Sequence, residues 1–206
     1  MSDKVIVFDL GKVIFDYDLN IISKALSKFS SEINLFNDME SFMASNADLF
    51  VKYEKGLISS IDFYNQIVSL LSLKDLSFEE FSDIWNEIFT PMNDVIDLID
   101  TLSKKYELSL LSNTNDLHFE YLYKKYTKVF NNFKNTHLSY KMKMRKPDVE
   151  IYENIINFYK VEPEKLFFTD DNQDNVFAAQ KIGIKSFVFE NSLKLKKDLN
   201  SFGIEI

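Results

Sequence analysis

Cysteine is absent from the 206 residues, which removes disulfides, thiolate zinc sites, iron–sulfur clusters and cysteine nucleophiles together. Glycine is scarce. The four glycines stand at Gly11, Gly56, Gly183 and Gly203, so neither a dinucleotide G-x-G-x-x-G nor a G-x-x-x-x-G-K-[ST] phosphate loop can be written. Positive charge is short as well: 24 Lys+Arg against 32 Asp+Glu leave a net charge of −8. Nucleic acid is therefore excluded as a general partner, because its backbone is met by positive surface. No apolar run is long enough to span a bilayer, and Val5–Phe8 is too short to be the core of a secretory leader. The expectation is a protein of a reducing, cytoplasmic compartment with no nucleic-acid or membrane partner.

What is present suffices for a core, since 46% of the residues are hydrophobic and 15% aromatic. Five short runs read as strands: Val5–Phe8, Leu108–Leu111, Thr136–Ser139, Leu166–Phe168 and Ile184–Phe189. The clearer ones are apolar on consecutive positions, as suits a sheet covered on both faces. Val95, Ile96, Leu98, Ile99 and Leu102 mark one helix between them, and Val149, Tyr152, Ile155, Ile156 and Tyr159 another. Gly183 follows Val176–Ile182, where a helix end calls for a left-handed residue. This alternation predicts an α/β fold with a parallel, Rossmann-like sheet.

From about Tyr17 to Thr90 the alternation stops. Ile61/Tyr64/Ile67/Val68/Leu71 and Phe78/Phe81/Ile84/Trp85/Ile88 carry helical spacing, with no convincing strand. The stretch reads as an all-helical cap (17–90) inserted in a core made of 1–16 and 91–206. Pro91 is expected in the first turn of the helix that rejoins the core.

Three apolar runs end in polar residues: Val5–Phe8 in Asp9, Leu108–Leu111 in Ser112 and Asn113, and Leu166–Phe168 in Thr169, Asp170 and Asp171. Ligands of open parallel sheets bind beyond the carboxyl ends of the strands, so these residues are expected to meet. Two carboxylates about 4 Å apart repel by roughly 4 kcal/mol at an effective dielectric near 20. A divalent cation relieves that, and all-oxygen ligation suits Mg2+. Asp174, four residues after Asp170 in the first turn of a helix beginning near Asn172, is a further candidate ligand. The cation implies an anionic substrate. Ser112 and the N–H groups around Asn113, preceding a helix, could hold phosphate oxygens, and Lys146 could add positive charge. Asp9 could then attack phosphorus and form an aspartyl-phosphate.

Four stretches carry a resemblance: Phe8-Asp9-Leu10-Gly11-Lys12-Val13-Ile14, Leu111-Ser-Asn-Thr-Asn115, Arg145-Lys146-Pro147 and Phe168-Thr-Asp-Asp-Asn-Gln-Asp174. In that order they resemble the motifs of the haloacid dehalogenase-like hydrolases, and the insertion after the first is similar to a helical type-1 cap. The segments DLGKVIFDYD, LSNTNDLH, MRKPDVEIY and DDNQDN are similar to those of bacterial alpha-D-glucose-1-phosphate phosphatases. The resemblance implies a phosphoric monoester hydrolase acting on a small phosphorylated metabolite, with a sugar phosphate such as glucose 1-phosphate as the candidate. It implies Asp9 as nucleophile, Ser112 and Asn113 as phosphate holders and Lys146 as charge stabiliser. Mg2+ would be held by Asp9, the Gly11 carbonyl and Asp170, with Asp171 or Asp174 in support.

The chain departs from that pattern at Gly11, where most phosphatases of the superfamily carry an aspartate that protonates the leaving oxygen. General acid–base help is typically worth about 10²–10⁴-fold, so a substitute group is sought, with Asp16 and Asp18 as candidates if the chain folds back. Two alternatives follow: a metal-independent haloacid dehalogenase, and a catalytically weak phosphate-binding module. His118 and His137 lack partners at metal-ligand spacing and read as structural. Tyr53-Glu-Lys-Gly56 resembles a cap turn that faces substrate in related proteins, although a helix end stopped by Gly56 is the preferred reading.

Overall fold

Strands as apolar as Val5–Phe8 and Leu166–Phe168 are satisfied by burial on both faces, and the chain places both at the centre of its sheet, buried at every position. The computed structural model describes residues 4–30 and 39–206; residues 31–38 of the expected cap lie outside it. The sheet is built from β1 (Val5–Phe8), β4 (Glu107–Ser112), β5 (Asn135–Leu138), β6 (Leu166–Asp170) and β7 (Lys185–Val188), in the order β5-β4-β1-β6-β7. Every pairing in it is parallel. All five predicted strands are thus present. The order reverses at β1, the topological switch point of a doubly wound sheet.

Alternation along each strand splits the core in two. Ile6, Phe8, Leu108, Leu110 and Phe167 face α6 (Asn93–Leu102) and α12 (Ser192–Ser201). Val5, Val7, Leu111, Leu166 and Phe168 face α10 (Val149–Tyr159) and α11 (Gln173–Lys181). Gly183 adopts φ +94° just beyond α11, the left-handed conformation predicted for it.

A helical cap is inserted after β1. Its described helices are α1 (Leu19–Leu26), α2 (Met39–Ser45), α3 (Ala47–Glu54), α4 (Ser60–Leu70) and α5 (Phe78–Asn86). They share an apolar cluster of their own, centred on Ile22, Phe50, Phe63, Ile67, Phe81 and Trp85. Local chemistry sets the helix starts: Ser77 and Glu80 form a reciprocal capping box on α5, and Ser59 caps α4.

The expectation of a strandless insertion is corrected. Phe15–Tyr17 (β2) and Phe89–Pro91 (β3) pair antiparallel, Asp16 opposite Thr90 and Tyr17 opposite Phe89. Three residues are too few for alternation to register as a pattern. Pro91 likewise ends β3 instead of opening a helix, and α6 starts at Asn93. A two-stranded ribbon leaves each strand an unpaired side, which a residue without an N–H tolerates. The remaining helices are α7 (Asp116–Lys125), α8 (Thr127–Phe130) and α9 (Ser139–Met142).

Candidate active site

The carboxyl ends of β1, β4 and β6 lie side by side because these strands are neighbours in the sheet. The Asp9 N–H donates to the Thr169 carbonyl at 3.0 Å, tying the end of β1 to β6. Between them sits Lys146, 1% exposed. Its Nζ is 2.7 Å from Asp9 Oδ1 and 2.5 Å from Asp170 Oδ2, and it donates to the Leu111 carbonyl at 3.0 Å. Asn113 holds the lysine in place: Asn113 Nδ2 donates to the Lys146 carbonyl and the Lys146 N–H to Asn113 Oδ1, both at 2.8 Å. The other oxygen of Asp170 accepts from the Asn172 N–H and from Asn175 Nδ2, each at 2.9 Å.

Negative charge is in excess here. Asp9, Asp170 and Asp171 each offer an oxygen, all within 4.8 Å of one another. Burial pushes the Asp9 carboxyl up to about 7; Lys146 opposes that rise and Asp170 adds to it. Asp171 is raised by burial and by Asp170. Burial works to lower the Lys146 ammonium, but Asp9 and Asp170 outweigh it and hold it above its ordinary value. Three carboxylates against one ammonium form an oxygen site with charge to spare, which fits a hard divalent cation.

Of the residues singled out in the sequence, Asp9, Lys146, Asp170 and Asp171 come together. Gly11, Ser112 and Asn113 line the adjoining cavity. Asp174 does not join the converging carboxylates: it is exposed, and its N–H donates to Asn172 Oδ1 at 2.8 Å. With Asn172 as the cap of α11, the second helical position turns to solvent and Asn175 turns inward. Asn175 shares its helix face with buried Ala178 and Ala179, and that spacing was the signal available for it. Asp16 and Asp18 are not substitutes for a side chain at position 11. Asp16 is exposed and paired with Lys12 at 2.6 Å, and Asp18 caps α1.

The cavity opens between these loops and the cap. Leu19, Ile22, Phe50, Trp85 and Phe89 form its apolar side, with Tyr17, Glu54 and His118 among them. Tyr17 stands over Gly11: a Cβ added at position 11 would meet Tyr17 Cε1 at 3.1 Å. Burial, then the charges of Asp171, Asp9 and Glu54, push its phenol up to about 12. Burial holds the His118 imidazole down at about 4. A carbonyl only accepts, so His118 Nε2 donates to the Trp85 carbonyl (3.0 Å) and Nδ1 accepts from Asn115 Nδ2 (3.2 Å). His118 is structural, as read from the sequence.

Gly56 ends α3 with φ +59°, and a side chain there would collide with the Tyr140 carbonyl. The turn is thus a helix terminus, yet Tyr53 and Glu54 also line the cavity. The same turn is fastened to the core. Glu54 pairs with Arg145 at 3.0 Å, Lys55 with Asp148 at 2.8 Å, and the Lys143 ammonium donates to the Gly56 carbonyl. Ser60 Oγ donates to Asp116 at 2.5 Å and Ser139 Oγ to the Glu54 carbonyl at 2.6 Å.

Comparison with known proteins agrees with this geometry. The family model described as haloacid dehalogenase-like hydrolase matches residues 6–189. A D-ribitol-5-phosphate phosphatase of Bacteroides thetaiotaomicron is 29% identical over 202 residues, covering 95% of this chain and 96% of that protein. The crystal structure of a HAD family enzyme from the same organism superposes with a TM-score of 0.80 at 31% identity, covering 91% of this chain and 93% of the other. The wild-type form of that enzyme in complex with magnesium and inorganic phosphate gives a TM-score of 0.77 at 30% identity, covering 91% and 94%. Among the described residues, no helix is long and apolar enough to cross a membrane.

Proposed function

Because the chain belongs to the haloacid dehalogenase-like hydrolase family, we propose that it is a phosphatase that hydrolyses a small phosphomonoester through an aspartyl-phosphate on Asp9. The observation that carries this reading is Lys146 bridging Asp9 and Asp170 beside a third carboxylate, next to a cavity lined by Gly11, Ser112 and Asn113. Asp9 is the nucleophile. Its carboxylate attacks phosphorus, the bond to the leaving oxygen breaks, and water later releases phosphate from Asp9. Lys146 keeps the Asp9 oxygen ionised and aimed. Ser112 and the Asn113 N–H hold the phosphoryl oxygens, while the Asn113 side chain positions Lys146.

Asp9, Asp170, Asp171 and the Gly11 carbonyl would hold Mg2+, which when bound supplies positive charge against the substrate phosphate. The helices over the cavity exclude bulk water and select the leaving group. Core (1–16 and 91–206) and cap (17–90) divide at the β2–β3 ribbon, through which the chain leaves and returns. Phosphorylated sugars and polyols are the substrate class. Two things support that: a relative acts on D-ribitol 5-phosphate, and the four motifs resemble those of glucose-1-phosphate phosphatases.

Phosphate release from a panel of sugar and polyol phosphates, with and without Mg2+, tests the reading. Asp9→Asn is expected to abolish release while the far-ultraviolet circular dichroism is unchanged; release at the wild-type rate would refute the nucleophile. Halide release from a 2-haloacid that survives EDTA would favour the metal-independent dehalogenase. Tight binding without release would favour the binding module.

A further inference from the structure

Cleaving a phosphomonoester leaves negative charge on the leaving oxygen, and a donor placed there lowers the barrier. Asp9 lies beneath the phosphoryl position, so in-line departure sends that oxygen toward the cap. Most side-chain donors on that side are already committed within the protein. Both His118 nitrogens and the Asn115 amide bond to each other and to the Trp85 carbonyl. The Asn113 amide is spent on Lys146, and the Tyr53 hydroxyl bonds to Ser60 at 3.0 Å. Trp85 Nε1 is enclosed, with no accessible surface.

Tyr17 differs from these. It lines the cavity, and its hydroxyl has no hydrogen-bond partner among the described residues and is not enclosed. Its ring is held on three sides. Cε1 rests against the bare backbone of Gly11. Lys12 Nζ lies 4.5 Å from the ring centroid and donates to the Tyr17 carbonyl, and Phe89 packs edge-on at 6.1 Å. A side chain at position 11 would crowd the ring, which would have to give by a few tenths of an ångström even for a Cβ.

We propose that Tyr17 is a catalytic residue whose hydroxyl donates a hydrogen bond to the leaving-group oxygen, occupying the volume that the missing side chain of Gly11 leaves open. This rests on the phosphatase reading. Because β2 carries Tyr17 on the ribbon between core and cap, the donor arrives with the cap's own attachment and not from the catalytic loops.

The test compares wild type and Tyr17→Phe with Mg2+ on a primary alkyl phosphate, whose alkoxide is a poor leaving group, and on 4-nitrophenyl phosphate, whose leaving group needs little help. Tyr17→Phe deletes a hydroxyl that bonds to no described residue and retains the ring. It is expected to lose roughly 100-fold in kcat on the alkyl ester, the size of one lost transition-state donor, with KM changed less than threefold. The loss on the nitrophenyl ester is expected to be at least tenfold smaller. Equal losses on both esters, or a loss carried by KM, would overturn the role of Tyr17 while leaving the phosphatase reading intact. A second measurement needs no variant: wild-type kcat across a leaving-group series is expected to vary shallowly, and a steep dependence would overturn the proposal. No release from any ester by the wild type would overturn the phosphatase reading itself, and this proposal with it.

Discussion

Lys146 and Asp170 form an ion pair of 2.5 Å in which neither side chain has more than 1% of its surface exposed. Such a pair is costly to bury and costlier to break, because removing one partner strands the other's charge. The sheet tolerates it because each remaining oxygen and hydrogen is satisfied: Asn172 and Asn175 on Asp170, Asp9 and Leu111 on Lys146.

Lys146→Met is therefore expected to destabilise the fold by about 3–5 kcal/mol, the range for breaking one side of a buried pair, and to abolish turnover. Urea unfolding at pH 7.5 measures the first and phosphate release the second. A change below 1 kcal/mol would mean that water already reaches the pair.

Asn175→Ala leaves the ion pair and removes one donor from Asp170. The expected cost is about 1–2 kcal/mol, with a weaker Mg2+ requirement curve: half-saturation of activity moves to higher Mg2+. Asp174→Ala is the contrast, since Asp174 lies outside the cluster, and its Mg2+ curve is expected to overlay that of the wild type.

Divalent cation bound to the folded chain alone must raise its stability by mass action. Millimolar Mg2+ is expected to raise Tm, and EDTA to return it. Asp9→Asn is expected to shrink that increment by removing one of the three converging oxygens. Isothermal titration at a fixed pH gives the same comparison directly.

Acid is expected to weaken the fold through the histidines. Burial holds His118 and His137 at about 4 in the folded chain against an ordinary 6.5. Their folded values are depressed, so the unfolded chain takes up the protons first. The stability they contribute is whole above about pH 6.5 and is lost as pH falls from 6.5 toward 4. Each histidine adds a slope of about 1.4 kcal/mol per pH unit within that window. Asp9, raised to about 7, acts with the opposite sign across the same window, so the histidine slope is read as a difference: unfolding free energies of the wild type and His118→Gln at pH 7.5, 5.5 and 4.5 are expected to diverge by about 1.4 kcal/mol per pH unit below pH 6.5.

Gly56→Ala puts a methyl group into the Tyr140 carbonyl at a residue with φ +59°. A loss of about 1–3 kcal/mol is expected. With it goes the register of the turn that carries the Glu54–Arg145 and Lys55–Asp148 pairs, read as a raised KM.

The central strands β1 and β6 were the most legible, because each opens on a run of adjacent apolar residues, as suits a sheet covered on both faces. The convergence of carboxylates at their ends was legible for the same reason: a carboxylate directly after a buried strand has nowhere to go but the sheet's edge. The β2–β3 ribbon was not legible, since three residues carry no period. Asp174 and Asn175 exchange the roles their types suggest, because a helix start set by Asn172 decides which of two adjacent positions faces inward.

By itself, then, the order of residues determined the strands of the parallel sheet and which charged groups follow them, since burial of apolar surface acts through local patterns. It also determined, through the bare backbone at Gly11, that a space would be left near the nucleophile. Only the folded chain decided what enters that space. Lys146 reaches Asp9 from 137 positions further along the chain, and Tyr17 covers Gly11 through a ribbon that exists only when Phe89 has returned to pair with it. Contacts of that range depend on side-chain packing between distant elements, which has no periodic trace in the chain.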